Sequence, residues 1–399
     1  MAWSEQTESP GPRVGAAVVG LGGAVASTAV GGVELLKLGM AGTDGLPLAD
    51  VPGLVAYESL EFGGWDLDGD DLAKAAHVHG VLPPAQIEAV APQLQQIVPW
   101  AAAVDPAFCR RAVGANIVPV GPLRDRVNQI RDDLRRFCDD RSLDVVVVVN
   151  LASTESWPDL ASPALVDVAS FERGLDCDDP AITPGMLYAY AAISEGAPYV
   201  NFTPSLTADI AALQQLADQR CVPIAGKDGK TGQTLVKTVL APAFRSRALR
   251  VDGWYSTNIL GNRDGQILDD PSSLQSKLAT KGSVLDSILG YPVDDHVVRI
   301  DYYRPRGDDK ESWDNIDLSG FLGQRMQLKV DFLCRDSILA APLVLELVRL
   351  LAEAHRRGAG GVQEQLGYFF KAPATRDGHP PEHALHAQER VLREWLATR

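Results

Sequence analysis

Basic residues are in deficit in this 399-residue sequence: 37 lysines and arginines stand against 52 aspartates and glutamates, a formal net charge of -15. Non-specific binding to nucleic acid depends on clustered lysines and arginines that neutralise backbone phosphates. The deficit therefore argues against a nucleic-acid-binding protein. It leaves a small anionic substrate open, because a few local lysines can bind a phosphate in a chain that is acidic overall.

Paired cysteines and an unbroken apolar segment are also missing. The five cysteines form no Cys-x-x-Cys motif and no metal-type spacing, which is typical of reduced, intracellular proteins. Six glycines interrupt the apolar stretch 14–33, so it does not have the pattern of a membrane span. The first 13 residues carry two glutamates and no apolar run, unlike a signal peptide. These features predict a cytoplasmic protein without a membrane partner.

The residues that are present favour a folded α/β protein. Apolar residues make up 46% and charged residues 22% of the sequence, near the average for soluble globular proteins. Strands are predicted at 14–19, 144–149, 199–201 and 222–225, with helices at 24–38, 125–137, 186–194, 209–220 and about 234–242. This alternation predicts a parallel sheet with helices on both faces. After about residue 240, strands at 249–257, 296–303 and 325–332 indicate a separate, mostly antiparallel layer, followed by a helix at 337–357.

The turn after the first strand, Gly20-Leu-Gly-Gly23, is a candidate dinucleotide-binding segment. Glycines there let the backbone approach a pyrophosphate that lies on the next helix N-terminus. The third glycine of the GxGxxG pattern would fall at Val25, so the motif alone is equally compatible with an ordinary strand–helix turn. The segment 226–234 ends like a phosphate-binding loop, but the first glycine of that motif would fall at Ile224, which leaves a simple capped helix start as the alternative.

Isolated lysines and histidines give weaker signals. Lys277 and Lys281 lie four residues apart, on one face of a predicted helix, and Lys310 and Lys371 follow further along the chain. Clustered or desolvated lysines can act as general acids, bases or nucleophiles, although any single lysine is more often a surface residue. The histidines fall into two groups: His77 and His79 are interpreted as surface residues, and His379, His383 and His386 as part of a solvated tail. No metal site is predicted.

Taken together, these segments resemble the NAD-dependent myo-inositol-phosphate synthases, and the bacterial branch of that family in particular. The resemblance runs from about residue 14 to 373. It is carried by the following stretches: GLGGAVAST, FGGWD, NLASTE, AYAAISEGAPYVN, GKDGKTGQTLVKTVLAP, STNILGNRDG, YYRPRGDDKESWDNIDLSGFLG, FLCRDSILAAP and FFKAP. Several of these are long and unusual, which identifies the chain as a member of the family.

The resemblance implies a redox-neutral cyclisation and a two-part α/β fold. NAD oxidises carbon 5 of glucose 6-phosphate, an enolate forms at carbon 6 and attacks carbon 1, and the ketone is reduced again to give inositol phosphate. The implied architecture is a Rossmann-like NAD-binding domain from 14–240 plus 337–399, a catalytic α+β and tetramerisation domain from 241–336, and a flexible tail at 1–13. The implied assembly is a homotetramer.

The resemblance also implies site residues. Those implied to contact the cofactor are Gly20, Gly22, Gly23, Ala24, Val25, Asp66, Ala152, Ser153, Thr154, Asp228, Asp264, Asp336 and Ser337. Those implied to contact the sugar phosphate are Thr231, Gly232, Gln233, Thr234, Asn262, Lys277, Lys281, Lys310 and Lys371. Catalytic roles are implied for Lys277, Lys281, Lys371, Asp228 and Asp336. Asp66 at the ribose hydroxyls would favour NAD over NADP, because a carboxylate repels a 2′-phosphate.

The sequence departs from the family pattern at five positions. Asp301 stands where the family has a lysine, so that Arg299 or Lys310 would have to supply the cation. Phe202 replaces a glycine and Ser205 an amide, Gly229 stands where an aromatic residue is common, and Leu278 where a charged residue is common. The bulk of Phe202 favours a smaller product ring. The alternatives are therefore a five-membered cyclitol phosphate made from fructose 6-phosphate, and an inactive NAD-binding scaffold.

Overall fold

The first of two sheets is fully parallel and has seven strands. The protein was studied as a computed structural model that describes residues 11–109, 113–261 and 283–398. The strands of this sheet are β1 (Val14–Val19), β2 (Leu60–Asp66), β3 (Trp100–Ala101), β4 (Val145–Asn150), β5 (Tyr199–Asn201), β6 (Pro223–Gly226) and β11 (Gly361–Val362). Their order is β11-β6-β5-β4-β1-β2-β3. The chain reverses its direction of travel across the sheet between β1 and β4, which is where such sheets bind ligands.

Helices cover both faces of this sheet. The helices of the described residues, of which α8 and α9 pack on the second sheet instead, are α1 (Ala24–Lys37), α2 (Leu72–His79), α3 (Pro84–Leu94), α4 (Leu123–Arg141), α5 (Val168–Asp176), α6 (Pro184–Ser194), α7 (Ala211–Arg220), α8 (Gly232–Ser246), α9 (Ser283–Leu289), α10 (Asp336–Arg356) and α11 (Leu385–Ala397). One core lies between the sheet, α1 and α10, and a second between the sheet, α4 and α6. Because both faces are buried, β1 and β4 are almost continuously apolar, as the sequence predicted.

The second sheet has four strands and packs against α8 and α9. Its strands are β7 (Arg250–Leu260), β8 (Asp295–Tyr302), β9 (Asp309–Ser319) and β10 (Arg325–Arg335), in the order β10-β9-β7-β8. The β7–β8 pair is parallel and the other two pairs are antiparallel. No helix in the described part of the chain has the length and apolarity that crossing a membrane requires.

Two local predictions differ from the structure. Strand β9 was not predicted from the sequence. Its buried positions include Lys310, Ser312 and Asp314, so the strand does not alternate between apolar and polar residues. The prediction that α8 ends at Pro242 was wrong: the helix continues to Ser246 through the proline. Ala241 and Phe244 belong to the core between α8 and the second sheet, so packing outweighs the backbone hydrogen bond that the proline removes.

Candidate active site

A cavity of about 310 Å³ lies at the carboxyl edge of the first sheet, where the ends of β1, β2, β4 and β5 face β9 and α10. Carboxyl ends of neighbouring parallel strands meet at one edge, so side chains far apart in sequence converge there. The predicted site residues that line it are Gly20, Gly22, Gly23, Ala24, Val25, Asp66, Ala152, Ser153, Thr154, Asp228, Thr231, Lys310, Asp336, Ser337 and Lys371.

The other predicted site residues divide into two groups. Gln233 and Thr234 are buried in the first turn of α8 and do not belong to the cavity lining, nor does Gly232. A Cβ atom added to Gly232 would nevertheless lie 3.6 Å from the Lys310 Nζ, so this turn is close to the lining. The remaining predicted residues, Asn262, Asp264, Lys277 and Lys281, lie outside the described residues, as does the departure at Leu278.

One side of the cavity is formed by the glycine-rich turn and Asp66. The Gly22 amide donates a 2.9 Å hydrogen bond to Asp66 Oδ2, at the end of the neighbouring strand β2. The Asp68 amide donates to Oδ1 at 3.1 Å. Asp66 is therefore held by backbone amides while its remaining lone pairs can accept further hydrogen bonds. This geometry fits the two hydroxyls of a ribose beside a backbone turn that can approach a pyrophosphate.

Two lysine–carboxylate pairs form the opposite side of the cavity. Lys371 Nζ donates a 2.7 Å hydrogen bond to Asp228 Oδ1, and both side chains are buried. Lys310 Nζ lies 3.4 Å from Asp336 Oδ1, which also accepts a 2.9 Å hydrogen bond from the Thr231 hydroxyl. Compact cations in a partly desolvated cleft can stabilise a developing negative charge on oxygen and can move protons.

Three helix N-termini add positive potential to the same cavity. The first turns of α1 and α10 and the residue before α8 contribute lining residues, namely Ala24, Ser337 and Thr231. None of the three helices has a side-chain cap hydrogen bond at its N-terminus. The first amide of α10, at Asp336, donates to the Asp308 carbonyl at 3.4 Å, so the starts of α1 and α8 are the ones that suit a ligand with phosphate groups.

Lys310 is the better placed of the two residues that could replace the family lysine at Asp301. Asp301 is exposed on β8. Arg299, also on β8, has its guanidinium 5.9 Å from the centre of the Tyr255 ring on the neighbouring strand β7. Neither belongs to the cavity lining, whereas Lys310 does.

Phe202 and Gly229 are two departures that depend on each other. A Cβ atom added to Gly229 would lie 2.1 Å from the ring of Phe202, and both residues line the cavity. The ring thus occupies the space that a side chain at position 229 would need. The ring of Phe202 and the missing side chain at position 229 therefore compensate in volume, which removes the argument that Phe202 alone shrinks the pocket. Ser205 lies behind the lining, where its hydroxyl accepts a hydrogen bond from the Glu155 amide.

Three buried or cavity-lining residues were not predicted from the sequence. His79, interpreted as a surface residue, lines the cavity and contacts the Gly22 carbonyl through Nε2 at 2.9 Å. His383, assigned to a solvated tail, is only 6% exposed, because α11 folds back over the segment before α8. Glu155 lines the cavity, and burial raises its pKa to about 7 against the opposing effect of its hydrogen bond from the Gly185 amide. The ending of NLASTE was the available signal for Glu155.

The sequence of the whole chain is similar to those of known proteins. A profile of the family described as myo-inositol-1-phosphate synthase matches residues 42–397. Inositol-3-phosphate synthase 1 of Bacteroides thetaiotaomicron is 42% identical, over 96% of this chain and 95% of the relative. Inositol-3-phosphate synthase of Spirodela polyrhiza is 33% identical, over 88% of this chain and 72% of the relative.

The fold is shared as well. The crystal structure of inositol-3-phosphate synthase from Caenorhabditis elegans matches with a TM-score of 0.92 and 27% identity, over 97% of this chain and 86% of that one. This match confirms the predicted α/β fold class, with a parallel sheet and a second sheet.

Proposed function

The chain belongs to the myo-inositol-1-phosphate synthase family, and we propose that it is an NAD-dependent cyclase that converts glucose 6-phosphate to inositol phosphate. The observation that carries the proposal is the pairing of a dinucleotide-type turn with two lysine–carboxylate pairs across one cavity. A cavity of this kind brings an oxidant and cationic groups to one substrate. An inactive scaffold would have no use for two lysines that are buried beside carboxylates.

The residues on the glycine-rich side fit NAD. We assign Gly20, Gly22 and Gly23 to the pyrophosphate and Asp66 to the adenosine ribose, where its carboxylate would disfavour NADP. We assign residues 152–154 and Ser337 to the rest of the cofactor cleft. When bound, NAD would supply the oxidation of the carbon-5 hydroxyl and the later reduction of the ketone, with no net redox change.

The lysine side would carry out the proton transfers and stabilise negative oxygens. Lys371 Nζ, oriented by Asp228, is placed to move a proton at the substrate. Lys310, held by Asp336, is placed to stabilise negative charge on a substrate oxygen. That charge is on the carbon-5 oxygen when the enolate forms, and it moves to the carbon-1 oxygen when the enolate attacks the aldehyde and the carbon-5 ketone is restored. Thr231 and the amides that begin α8 would bind the phosphate. Lys277 and Lys281, outside the described residues, retain their proposed catalytic roles.

The second sheet supports a proposed homotetramer. Its outer face, away from α8, carries Trp313, Val297 and Leu333, which are 38%, 38% and 59% exposed. Trp313 stacks on Tyr255 at 5.7 Å between ring centroids, forming a flat aromatic surface. Exposed apolar surface of this kind is typical of subunit interfaces. The five scattered cysteines, with no Cys-x-x-Cys spacing, agree with a proposed cytoplasmic location.

Product identification tests the proposal. The purified enzyme and NAD are incubated separately with glucose 6-phosphate and with fructose 6-phosphate, and the cyclitol phosphate is identified by NMR. We expect inositol phosphate from glucose 6-phosphate, together with a transient NADH absorbance during a single turnover. Turnover of fructose 6-phosphate alone would contradict the proposed substrate. Turnover of neither sugar, with no NADH signal, would contradict the proposed enzyme.

A further inference from the structure

The inner face of the second sheet is polar where it packs on α8. Ser256 and Asn258 of β7, and Lys310, Ser312 and Asp314 of β9, are all buried on this face. A sheet face that packs on a helix is ordinarily apolar, because buried polar groups are costly unless they are hydrogen-bonded. The polar composition therefore needs a reason other than packing.

Asp314 is the centre of this polar face. Its Oδ1 accepts hydrogen bonds from Trp254 Nε1 at 2.7 Å, Ser256 Oγ at 2.5 Å and Gln233 Nε2 at 3.2 Å. Asp314 is only 2% exposed. Hydrogen bonds to a buried charged acceptor are the strong ones, so this one carboxylate ties the first turn of α8 to both β7 and β9.

The Gln233 amide is fixed at both ends. While its Nε2 donates to Asp314, its Oε1 accepts a 2.7 Å hydrogen bond from Asn258 Nδ2. A side-chain amide held by an acceptor on one strand and a donor on another has one orientation. The start of α8 therefore cannot slide along the sheet without breaking this arrangement.

The same helix carries a buried cation that faces Asp314. Lys237, one turn after Gln233, lies 5.7 Å over the Trp254 ring and 2.8 Å from His296 Nε2. Burial lowers the pKa of Lys237 to about 8, and the negative charge of Asp314 opposes that change. Asp314 thus also offsets the charge that α8 brings into the interface.

The hydrogen bonds of Asp314 lie next to a residue that lines the cavity. Lys310 lies four residues earlier on the same face of β9, and its Nζ reaches both Asp336 and the first turn of α8 at Gly232. Anything that fixes α8 against β9 therefore fixes the Lys310 ammonium relative to Thr231 and to the amides that begin the helix.

We propose that Asp314 is a positioning residue for the cyclisation: through Gln233 it holds the start of α8 against β9, so that Lys310 and the helix N-terminus act on one substrate together. The inference rests on the proposed function. It assigns Asp314 no contact with substrate or cofactor.

The test compares Asp314→Asn with Asp140→Asn, the same change at an exposed carboxylate on α4, which packs on the first sheet. For Asp314→Asn we expect kcat/KM for glucose 6-phosphate to fall by on the order of 10²-fold, as for a small misplacement of a catalytic group. Binding of glucose 6-phosphate in the absence of NAD should weaken, whereas the affinity for NAD should stay unchanged. Asp140→Asn should resemble the wild type in all three measurements.

A double-mutant cycle separates positioning from general stability. If Asp314 acts by placing Lys310, then adding Asp314→Asn to Lys310→Met should cost little beyond the single Lys310 change. Fully additive effects, wild-type kinetics, or a parallel loss of NAD affinity would overturn the proposal. If Asp314→Asn does not fold, Asp314→Glu keeps the charge and displaces the carboxylate from Gln233 Nε2, and the same criteria apply. If the wild type itself shows no turnover, the proposed function is contradicted. The role of Asp314 is tested separately, by the ratio of each variant's kcat/KM to that of the wild type.

Discussion

At the scale of single residues, Phe202 and Gly229 show why family departures need to be considered in pairs. Taken separately, one is an added ring and the other a lost side chain. In the structure the ring fills the space in front of Gly229, and the Gly229 amide donates a 2.9 Å hydrogen bond to the Phe202 carbonyl. The two positions therefore share one space in the cavity wall, which the ring of Phe202 fills.

This pairing predicts a strong coupling between the two positions. Gly229→Ala should cost about 1–3 kcal/mol of unfolding free energy, because its new Cβ would collide with the Phe202 ring. In a Phe202→Ala background the same change should cost almost nothing. Denaturant titration of the four proteins in the cycle measures both values. An equal cost in the two backgrounds would show that the ring and the glycine are independent.

Glu155 predicts a pH dependence with a defined sign. Burial raises its pKa to about 7 from a usual value of 4.5. Between these two values the folded protein binds more protons than the unfolded chain, so Glu155 lowers stability progressively as the pH rises through that window. The shift corresponds to about 3 kcal/mol.

The matched measurement for Glu155 is the difference in unfolding free energy between wild type and Glu155→Gln at pH 4.5 and at pH 8. The neutral amide cannot ionise, so the variant should gain on the wild type by up to about 3 kcal/mol as the pH rises, while other titrating groups cancel in the difference. A difference that does not change with pH would place the carboxyl in contact with solvent.

At the scale of elements, the sequence predicted those strands and helices whose burial follows a simple pattern. β1 and β4 are apolar because both faces are covered, and α1 follows a glycine turn that has to be tight. β9 could not be predicted, since its buried face holds Lys310 and Asp314 for the site. The sequence motifs also placed Asp66 and Lys371 in one cavity, but they gave no sign that Gln233 turns away to the second sheet.

The helix α10 supplies a stability prediction. Its Glu346 and Arg349 are fully buried and 2.6 Å apart, and Glu346 also accepts hydrogen bonds from Tyr57 and the Leu48 amide. The pair thereby ties the irregular segment after α1 to α10. Arg349→Met should cost about 3–5 kcal/mol of unfolding free energy, because it leaves a buried carboxylate without its cation.

The control for this prediction is Arg390→Met on α11, which breaks an ion pair whose side chains are 70% and 64% exposed. Exposed pairs contribute about 0–1 kcal/mol, so this variant should unfold close to the wild type. Denaturant melts of both variants give the comparison. Equal destabilisation by the two changes would mean that burial of the Glu346 pair has no special cost.

At the scale of the whole molecule, the two described sheets contribute different parts of the site. The parallel sheet presents strand ends to the cofactor, and the second sheet presents Lys310 on its inner face and an apolar surface on its outer face. Among the described residues, helices cover only the inner face of the second sheet, and Trp313 on the outer face is 38% exposed. An exposed tryptophan on a sheet face favours a surface that packs against it. The second sheet would then both position Lys310 and join the subunits, so that subunit assembly and the geometry of the site depend on the same sheet.

Subunit assembly is therefore best tested by placing a charge on that outer face. Val297→Arg puts a cation beside Tyr255 in the proposed interface, and Val166→Arg makes the same change at a residue that is 63% exposed and distant from the second sheet. Burying an unpaired charge is costly, so light scattering should show the mass of four chains for the wild type and for Val166→Arg, and a smaller species for Val297→Arg.

A wild-type monomer would contradict the tetramer, and a tetrameric Val297→Arg would show that the interface lies on another surface. Because β8 pairs with β7, which carries Asn258 and Ser256, the dissociated variant should also lose turnover while it still binds NAD.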